Sequence, residues 1–151
     1  MIIAFSSDHA GWPLRERILT EIRAQGHELL DCGPASLAPG DDYPDRARSV
    51  AEAVSRGAAE RAILVCGSGV GASVAANKLP GIRACLCHDS FSARQGVEDD
   101  DMNILCLGAR VIGEELAADL VRIFLGARFS GLERHRRRLD KVIAMEREGS
   151  A

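Results

Sequence analysis

The chain has 151 residues, of which 46% are hydrophobic and 27% charged, and its formal net charge at pH 7 is −3. This composition is typical of a folded globular protein and excludes a disordered chain. The slight acidic excess argues against a protein whose main task is to bind nucleic acid or an anionic membrane surface, and no apolar stretch approaches the ~20 residues of a membrane-spanning helix.

The N-terminal residues MIIAFSSDHAG lack the basic start and the long apolar core of a secretory signal. They predict a first strand instead. We therefore expect a cytoplasmic protein with reduced cysteines. Cys85 and Cys87 form a C-x-C pair without a second pair at zinc-like spacing, so no metal site is expected. Apart from Cys66, the cysteines lie mostly within apolar runs, which predicts that they are small core residues: Cys32, Cys85, Cys87 and Cys106.

Short apolar runs alternate with longer amphipathic segments along the chain. The runs predict five strands: Ile2–Ser6, Glu28–Cys32, Ala62–Cys66, Arg83–Cys87 and Ile104–Leu107. The amphipathic segments predict six helices: Pro13–Gln25, Pro44–Arg56, Gly71–Lys78, Phe91–Val97, Gly113–Leu125 and Leu132–Arg147. This alternation predicts one α/β domain over residues 1–151, a three-layer sandwich in which a Rossmann-like parallel sheet of about five strands carries helices on both faces.

The working site of such a fold lies beyond the carboxyl ends of its strands. After the first predicted strand, that position holds Asp8 and His9, in a sharp turn that ends at Gly11. Asp8 suits a helix cap as well as a substrate contact. His9 favours a functional role, because an imidazole can donate a hydrogen bond to a hydroxyl or a phosphate.

The third predicted strand runs into a loop with three glycines, Gly67, Gly69 and Gly71. Backbone N–H groups of such a loop can bind an anion or a developing oxyanion, and the alternative is a tight turn selected only for packing. Gly67-x-Gly69-x-x-Ala72 also matches a dinucleotide fingerprint, with Asp89 about 20 residues further on. That match is weak, since it follows the third strand rather than the first and leaves no residues for a substrate domain.

Cys66 is the last residue of the third predicted strand. A lone strand cysteine is usually a core residue, but a position just before a helix stabilises a thiolate. A thiolate that faces a ring of backbone N–H groups could remove a proton next to a carbonyl, while those groups hold the resulting enediolate.

The last predicted helix begins with a basic segment, Glu133-Arg134-His135-Arg136-Arg137-Arg138. Arg134 and Arg138 are four residues apart and share one helix face. Two guanidinium groups on one face suit a phosphate dianion. The neighbouring acids favour a solvated face for Arg136 and Arg137 and argue against a nucleic-acid patch.

Together these stretches resemble the family of type B ribose-5-phosphate isomerases and the related galactose-6-phosphate isomerase subunits. The resemblance rests on SDHAG (7–11), DYPD (42–45), CGSGVGASVAANKLPGIRA (66–84), LGARVIG (107–113) and RHRRR (134–138). It implies an aldose–ketose isomerase of sugar phosphates that works through a cis-enediolate without metal, nucleotide or other cofactor. It also implies a homodimer, or a dimer of dimers, in which each site is built across the interface.

The resemblance assigns a role to each site residue. Cys66 is the base that moves the carbon-bound proton, and Ser68 relays protons between the two substrate oxygens. Substrate contacts are implied for Asp8, His9, Tyr43, Gly67, Gly69, Val70, Gly71 and Asp100, and phosphate contacts for Arg110, Arg134 and Arg138. A second branch of the family has a glutamate where this chain has Ala72, so the chain resembles the cysteine branch.

One segment departs from the family pattern. Where the family usually has His-Asn, this chain has Asp99 and Asp100. The resemblance implies that this histidine helps to open the furanose ring, and Asp99 could take over this catalytic role only in a protonated form. Alternatively, the substrate needs no ring opening, or the acidic run is only a solvated loop and ribose 5-phosphate remains the substrate. Erythrose 4-phosphate and erythrulose 4-phosphate are substrates that need no ring opening, because their O4 is esterified.

Three hypotheses therefore stand. The first is an isomerase of ribose 5-phosphate, and the second is the same chemistry on a tetrose phosphate. The third, from another class, is a non-catalytic nucleotide- or metabolite-binding module.

Overall fold

Residues 1–149, which the computed structural model describes, contain five strands in one all-parallel sheet. The strands are β1 (Ile2–Ser7), β2 (Glu28–Asp31), β3 (Arg61–Cys66), β4 (Ala84–Leu86) and β5 (Ile104–Gly108). Six α-helices accompany them within these residues: α1 (Arg15–Ala24), α2 (Tyr43–Ser55), α3 (Val70–Ala76), α4 (Ser90–Asp100), α5 (Glu114–Gly126) and α6 (Glu133–Gly149). The strand order across the sheet is β2-β1-β3-β5-β4.

The two faces of the sheet are packed with side chains of different size. Successive strand residues point to opposite faces, so β3 sends Ile63 and Val65 to one face and Leu64 and Cys66 to the other. The first face packs against α1, α4 and α5 with large side chains, among them Phe5, Leu107 and Phe124. The second face packs against α2 and α3, largely with alanines: Ala4, Ala47, Ala51, Ala62, Ala72 and Ala76.

The α/β fold class and the parallel five-stranded sheet are confirmed, and each predicted strand and helix is present with shifted ends. The first helix is preceded by a short 3₁₀ turn at Trp12–Leu14, where Pro13 stands. The fourth helix is longer than predicted: it runs to Asp100 and ends at Asp101, a residue in the left-handed conformation with φ of 52°. Within residues 1–149, no helix has the length and apolar character that a membrane span requires.

The prediction of four core cysteines is wrong for Cys85 and holds only in part for Cys32, which packs half-buried against the core. Cys87 and Cys106 are buried, but Cys85 is exposed and Cys32 is half-buried. The difference follows from the strand order, because Cys85 belongs to β4 and Cys32 follows β2, the two edge strands of the sheet. Side chains at a sheet edge have neighbours on fewer sides.

The strand order places a crevice between β1 and β3. The chain leaves β1 towards one edge of the sheet and leaves β3 towards the other, so the connections diverge at the carboxyl ends of these two strands. Such a switch point is where open α/β sheets bind their ligands.

Candidate active site

A cavity of about 330 Å³ opens at this switch point. Its walls come from the turn after β1, the start of α2, the loop after β3 and the turn after β5. The residues that line it are Asp8, His9, Ala10, Tyr43, Cys66, Gly67, Ser68, Gly71, Arg110 and Val111. The structure thus brings most of the predicted site residues to one cavity from four separate parts of the chain.

Cys66 ends β3 and is only 5% exposed, yet it borders the cavity. Its Sγ accepts a hydrogen bond from the backbone N–H of Gly69 at 3.0 Å. A charged acceptor makes a stronger hydrogen bond than a neutral one, so this N–H suits a thiolate. Burial raises the pKa of Cys87, just after β4, to about 12, and it also raises the pKa of Cys106 in β5. Neither of those thiols lines the cavity.

The loop after β3 has a shape that only glycine allows at its turning point. Gly69 has a φ of 81°, in the left-handed region, and a Cβ there would lie 2.5 Å from Leu86 Cδ1. Gly67, Ser68 and Gly71 line the cavity, whereas Gly69 and Val70 do not. The N–H of Gly69 binds the sulfur, and the N–H of Val70 donates to Ser68 Oγ at 3.3 Å.

Asp8 connects the turn after β1 to the neighbouring strand. Its Oδ1 accepts from the N–H of Gly11 at 2.8 Å, and its own N–H donates to the carbonyl of Val65 at 3.2 Å. The carboxylate therefore caps the turn while it also borders the cavity, and its contact with a substrate stays a prediction.

His9 is held by a carboxylate that the sequence did not single out. Asp41 lies in the loop before α2, and its Oδ1 is 3.0 Å from His9 Nδ1 and 2.9 Å from the backbone nitrogen of His9. The Asp41 side chain is 6% exposed, and its Oδ2 lies 3.4 Å from Arg46 Nε. Two adjacent acids, Asp41 and Asp42, precede the helix. The path of the loop decides that Asp41 is the one that contacts His9.

Tyr43 and Arg110 close the cavity from two sides. Tyr43 begins α2, and a Cβ at Gly71 would lie 2.7 Å from its Cζ, so the bare glycine lets the phenol ring approach the loop. The N–H of Arg110 donates to the carbonyl of Gly67 at 3.0 Å. This bond ties the turn after β5 to the loop after β3.

Four further predicted site residues lie at the opposite end of the sheet in the same chain: Asp99, Asp100, Arg134 and Arg138. α4 leads from the carboxyl end of β4 to the amino end of β5, so Asp99 and Asp100 at its end are on the amino side of the strands. The start of α6 lies beside them, because the N–H of Ser130 donates to the carbonyl of Glu98 at 2.9 Å. Arg134 and Arg138 belong to this first part of α6, and both are exposed.

His135 joins these residues into a cluster that we call the Asp99–Arg134 cluster: Asp99, Ser130, Arg134 and His135. The imidazole is 4% exposed, and its Nδ1 lies 2.7 Å from Ser130 Oγ and 3.4 Å from Asp99 Oδ1. Arg134 Nε donates to His135 Nε2 at 3.0 Å. Sequence patterning missed His135, because a buried residue inside a run of arginines carries no signal of its own.

The acid of the dinucleotide fingerprint does not reach the cavity. Asp89, the acid of the dinucleotide fingerprint, caps α4 by accepting the N–H of Ser92 at 2.7 Å, and it does not border the cavity. Among residues 1–149, no three His, Cys, Asp or Glu side chains converge as a set of metal ligands.

A parallel α/β sheet with a cavity at its strand switch point is typical of the α/β enzymes that bind a small polar metabolite there. The sequence model of the family described as Ribose/Galactose Isomerase matches residues 3–142. The chain belongs to this family and is a sugar-phosphate isomerase.

Individual relatives cover nearly the whole chain. Ribose-5-phosphate isomerase B of Escherichia coli is 42% identical over 144 residues, which are 95% of each protein. D-erythrulose-4-phosphate isomerase 2 of Mycolicibacterium smegmatis is 36% identical over 146 residues, 95% of this chain and 96% of that one. The solved structure of ribose-5-phosphate isomerase B from Clostridium thermocellum superposes with a TM-score of 0.93 at 44% identity, covering 98% of this chain and 99% of that one.

Proposed function

We propose that the protein interconverts ribose 5-phosphate and ribulose 5-phosphate through a cis-enediolate, with Cys66 as the base. The observation that carries this proposal is the Cys66 sulfur, which borders the cavity and accepts the Gly69 N–H at 3.0 Å. Relatives named as ribose-5-phosphate isomerases support the substrate.

Proton transfer begins with the open-chain aldose in the cavity. The Cys66 thiolate takes the proton from C2, and the electron pair left on C2 forms the double bond of the enediolate while the aldehyde oxygen becomes negative. Ser68 lines the same cavity, and its hydroxyl moves a proton between O1 and O2. The thiol then returns its proton to C1, which yields the ketose.

The enediolate carries negative charge that must be stabilised without bulk water. We propose that the backbone N–H groups of Gly67, Ser68 and Gly71, residues that line the cavity, hold this charge. Donors that the fold has already placed need no reorganisation as the charge develops. The left-handed turn at Gly69 sets the course of this loop.

The substrate phosphate needs more positive charge than the cavity of one chain provides. Among the residues lining it, Arg110 is the one permanent cation, whereas Arg134 and Arg138 lie at the other end of the sheet and are exposed. We propose that a second copy of the chain places its Asp99–Arg134 cluster and Arg138 at this cavity. Each site of the dimer then combines the thiol of one subunit with the arginines of the other.

Mixing two inactive variants tests the shared site. We expect Cys66→Ala and Arg134→Ala to be poorly active alone, and co-refolded mixtures to regain activity that neither parent has, because one site of each hybrid dimer is intact. Arg137→Ala is the matched control, because Arg137 pairs with Glu133 at 3.1 Å on the solvated face. Mixtures no more active than the better parent would contradict the shared site.

A tetrose phosphate is the second candidate substrate, and a specific observation favours it. Asp99 occupies the position of the ring-opening histidine. Gln95 Nε2 donates to Asp99 Oδ2 at 2.9 Å, and His135 Nδ1 lies 3.4 Å from Asp99 Oδ1, so both carboxylate oxygens already face donors. A relative named D-erythrulose-4-phosphate isomerase 2 is 36% identical. An open-chain tetrose phosphate uses the same thiol and loop but requires no ring opening.

A panel of sugar phosphates distinguishes the two candidates. We expect the highest kcat/KM for ribose 5-phosphate in an assay of ribose, erythrose and galactose phosphates, with aldose–ketose conversion followed by NMR. A preference for erythrose 4-phosphate would support the second candidate. If no sugar phosphate reacts but one binds, the non-catalytic alternative would replace both.

A further inference from the structure

Asp41 lies outside every motif that carries the family resemblance, yet it is the most extensively engaged acid near the cavity. One of its oxygens contacts both the backbone nitrogen and Nδ1 of His9, at 2.9 and 3.0 Å. Its other oxygen faces Arg46 Nε at 3.4 Å, and the side chain is 6% exposed. A nearly buried carboxylate that holds a half-exposed imidazole at the cavity wall requires a chemical explanation.

This contact determines which ring nitrogen of His9 is available to a ligand. A carboxylate only accepts hydrogen bonds, so Nδ1 carries the hydrogen in the contact with Asp41. In the neutral ring, Nε2 then has a free lone pair and can take a proton. The backbone N–H of His9 binds the same oxygen, which fixes the ring relative to the turn.

Three other polar side chains of the cavity already have a role. Cys66 is committed to the carbon-bound proton and Ser68 to the relay between O1 and O2, while Asp8 accepts the N–H of Gly11. In the Asp99–Arg134 cluster, both carboxylate oxygens of Asp99 already face donors, Gln95 and His135. His9 is the one imidazole that lines the cavity.

We propose that His9 carries the proton transfer that opens the furanose ring of the substrate, and that Asp41 is the positioning residue that makes it competent. The inference rests on the proposed isomerase function and concerns the step before isomerisation. His9 Nε2 takes the proton of the anomeric hydroxyl, and the electron pair of that oxygen forms the C1 carbonyl as the C1–O4 bond breaks. The imidazolium then gives the same proton to O4, so the step balances without a further reactant.

The chemistry of the two pentose phosphates provides an internal control. Ribose 5-phosphate is largely a furanose, whereas ribulose 5-phosphate cannot form a five-membered ring because its O5 is esterified. Exchange of the C1 proton of ribulose 5-phosphate with deuterated water therefore reports enediolate formation without ring opening. A group that acts only on the ring affects the first substrate and not the second.

The variants are His9→Asn and Asp41→Asn, each alone and combined. We expect His9→Asn to lower the rate with ribose 5-phosphate by about 10²-fold and Asp41→Asn by about 10-fold. The C1 exchange of ribulose 5-phosphate should stay near that of the wild type. With His9→Asn, the rate should also become independent of enzyme concentration, because spontaneous ring opening in solution then limits it.

Two comparisons separate positioning from folding. Asp41→Asn keeps an oxygen for the His9 amide, and it should have no further effect in the His9→Asn background if Asp41 acts through His9. Asp45→Asn is the matched control, an exposed acid in the first turn of α2, and it should leave both rates unchanged.

The outcomes are distinct. Equal loss of ribose 5-phosphate isomerisation and of ribulose 5-phosphate exchange would overturn the inference, as would additive effects of the two substitutions. A wild type that converts erythrose 4-phosphate but not ribose 5-phosphate would also overturn it and leave an isomerase in place. A wild type without activity on any sugar phosphate would instead remove the proposed function itself.

Discussion

Replacing Cys66 with serine is expected to lower kcat by about 10²- to 10⁴-fold, the range for loss of a general base. The hydroxyl matches the thiol in shape, but it does not ionise near neutral pH, so the proton on C2 stays in place. KM should change little, because Arg110 and the loop backbone remain. The measurement is isomerisation kinetics together with the exchange of the substrate carbon proton with deuterated water.

Cys85→Ser is the control for this substitution, since Cys85 is exposed on an edge strand and does not line the cavity. It should leave both rates at the wild-type level. Undiminished proton exchange in Cys66→Ser would exclude Cys66 as the base, whatever happened to the overall rate.

Replacing Gly108 with alanine is expected to damage both stability and activity. Gly108 ends β5 beside Cys66, and a Cβ there would lie 2.5 Å from the carbonyl oxygen of Ser68 and 2.8 Å from its Cα. These are backbone atoms that no rotamer change can move, so the loop after β3 must shift. Overpacking of this kind costs about 1–3 kcal/mol, and a displacement of about 1 Å at a catalytic loop can lower kcat about 10²-fold.

Thermal unfolding and steady-state kinetics check this prediction. Gly126→Ala is the matched control, because no atom lies within 4 Å of a Cβ at the end of α5. It should leave kcat unchanged and leave stability unchanged or raised by about 0.4–1 kcal/mol. A fully active, equally stable Gly108→Ala would show that the loop is not held where the structure has it.

The sequence predicts the fold well because each strand and helix has a local signal. Apolar runs such as ILVC (63–66) identify the strands, and Pro44 marks a helix start. The burial of a cysteine at an edge strand could not be predicted in the same way, since strand order depends on contacts between distant segments. Cys85 is the example.

The sequence predicts those residues of the candidate site that belong to a motif, but not those that a loop brings to the cavity. Asp8, Cys66 and the glycines stand next to strand ends, so their meeting follows from the parallel sheet. Asp41 reaches His9 only through the path of a loop, which no periodicity encodes. Arg134 suits a phosphate by its residue type, and that role stays a prediction, but its distance from the cavity within one chain depends on the direction of α4 and α6.

The alanine-rich packing between the sheet and its α2–α3 layer has a consequence for protein engineering. Tyr43 begins α2, and α3 follows the loop after β3. Both helices contact the sheet largely through alanine methyl groups, so a larger residue there would push them away from the sheet and displace one wall of the cavity. The opposite layer, built around Phe5 and Phe124, can be repacked without touching that wall. Variant libraries intended to raise stability should therefore change residues in the layer around Phe5 and Phe124. Libraries intended to change specificity should leave the alanines between the sheet and α2–α3 unchanged.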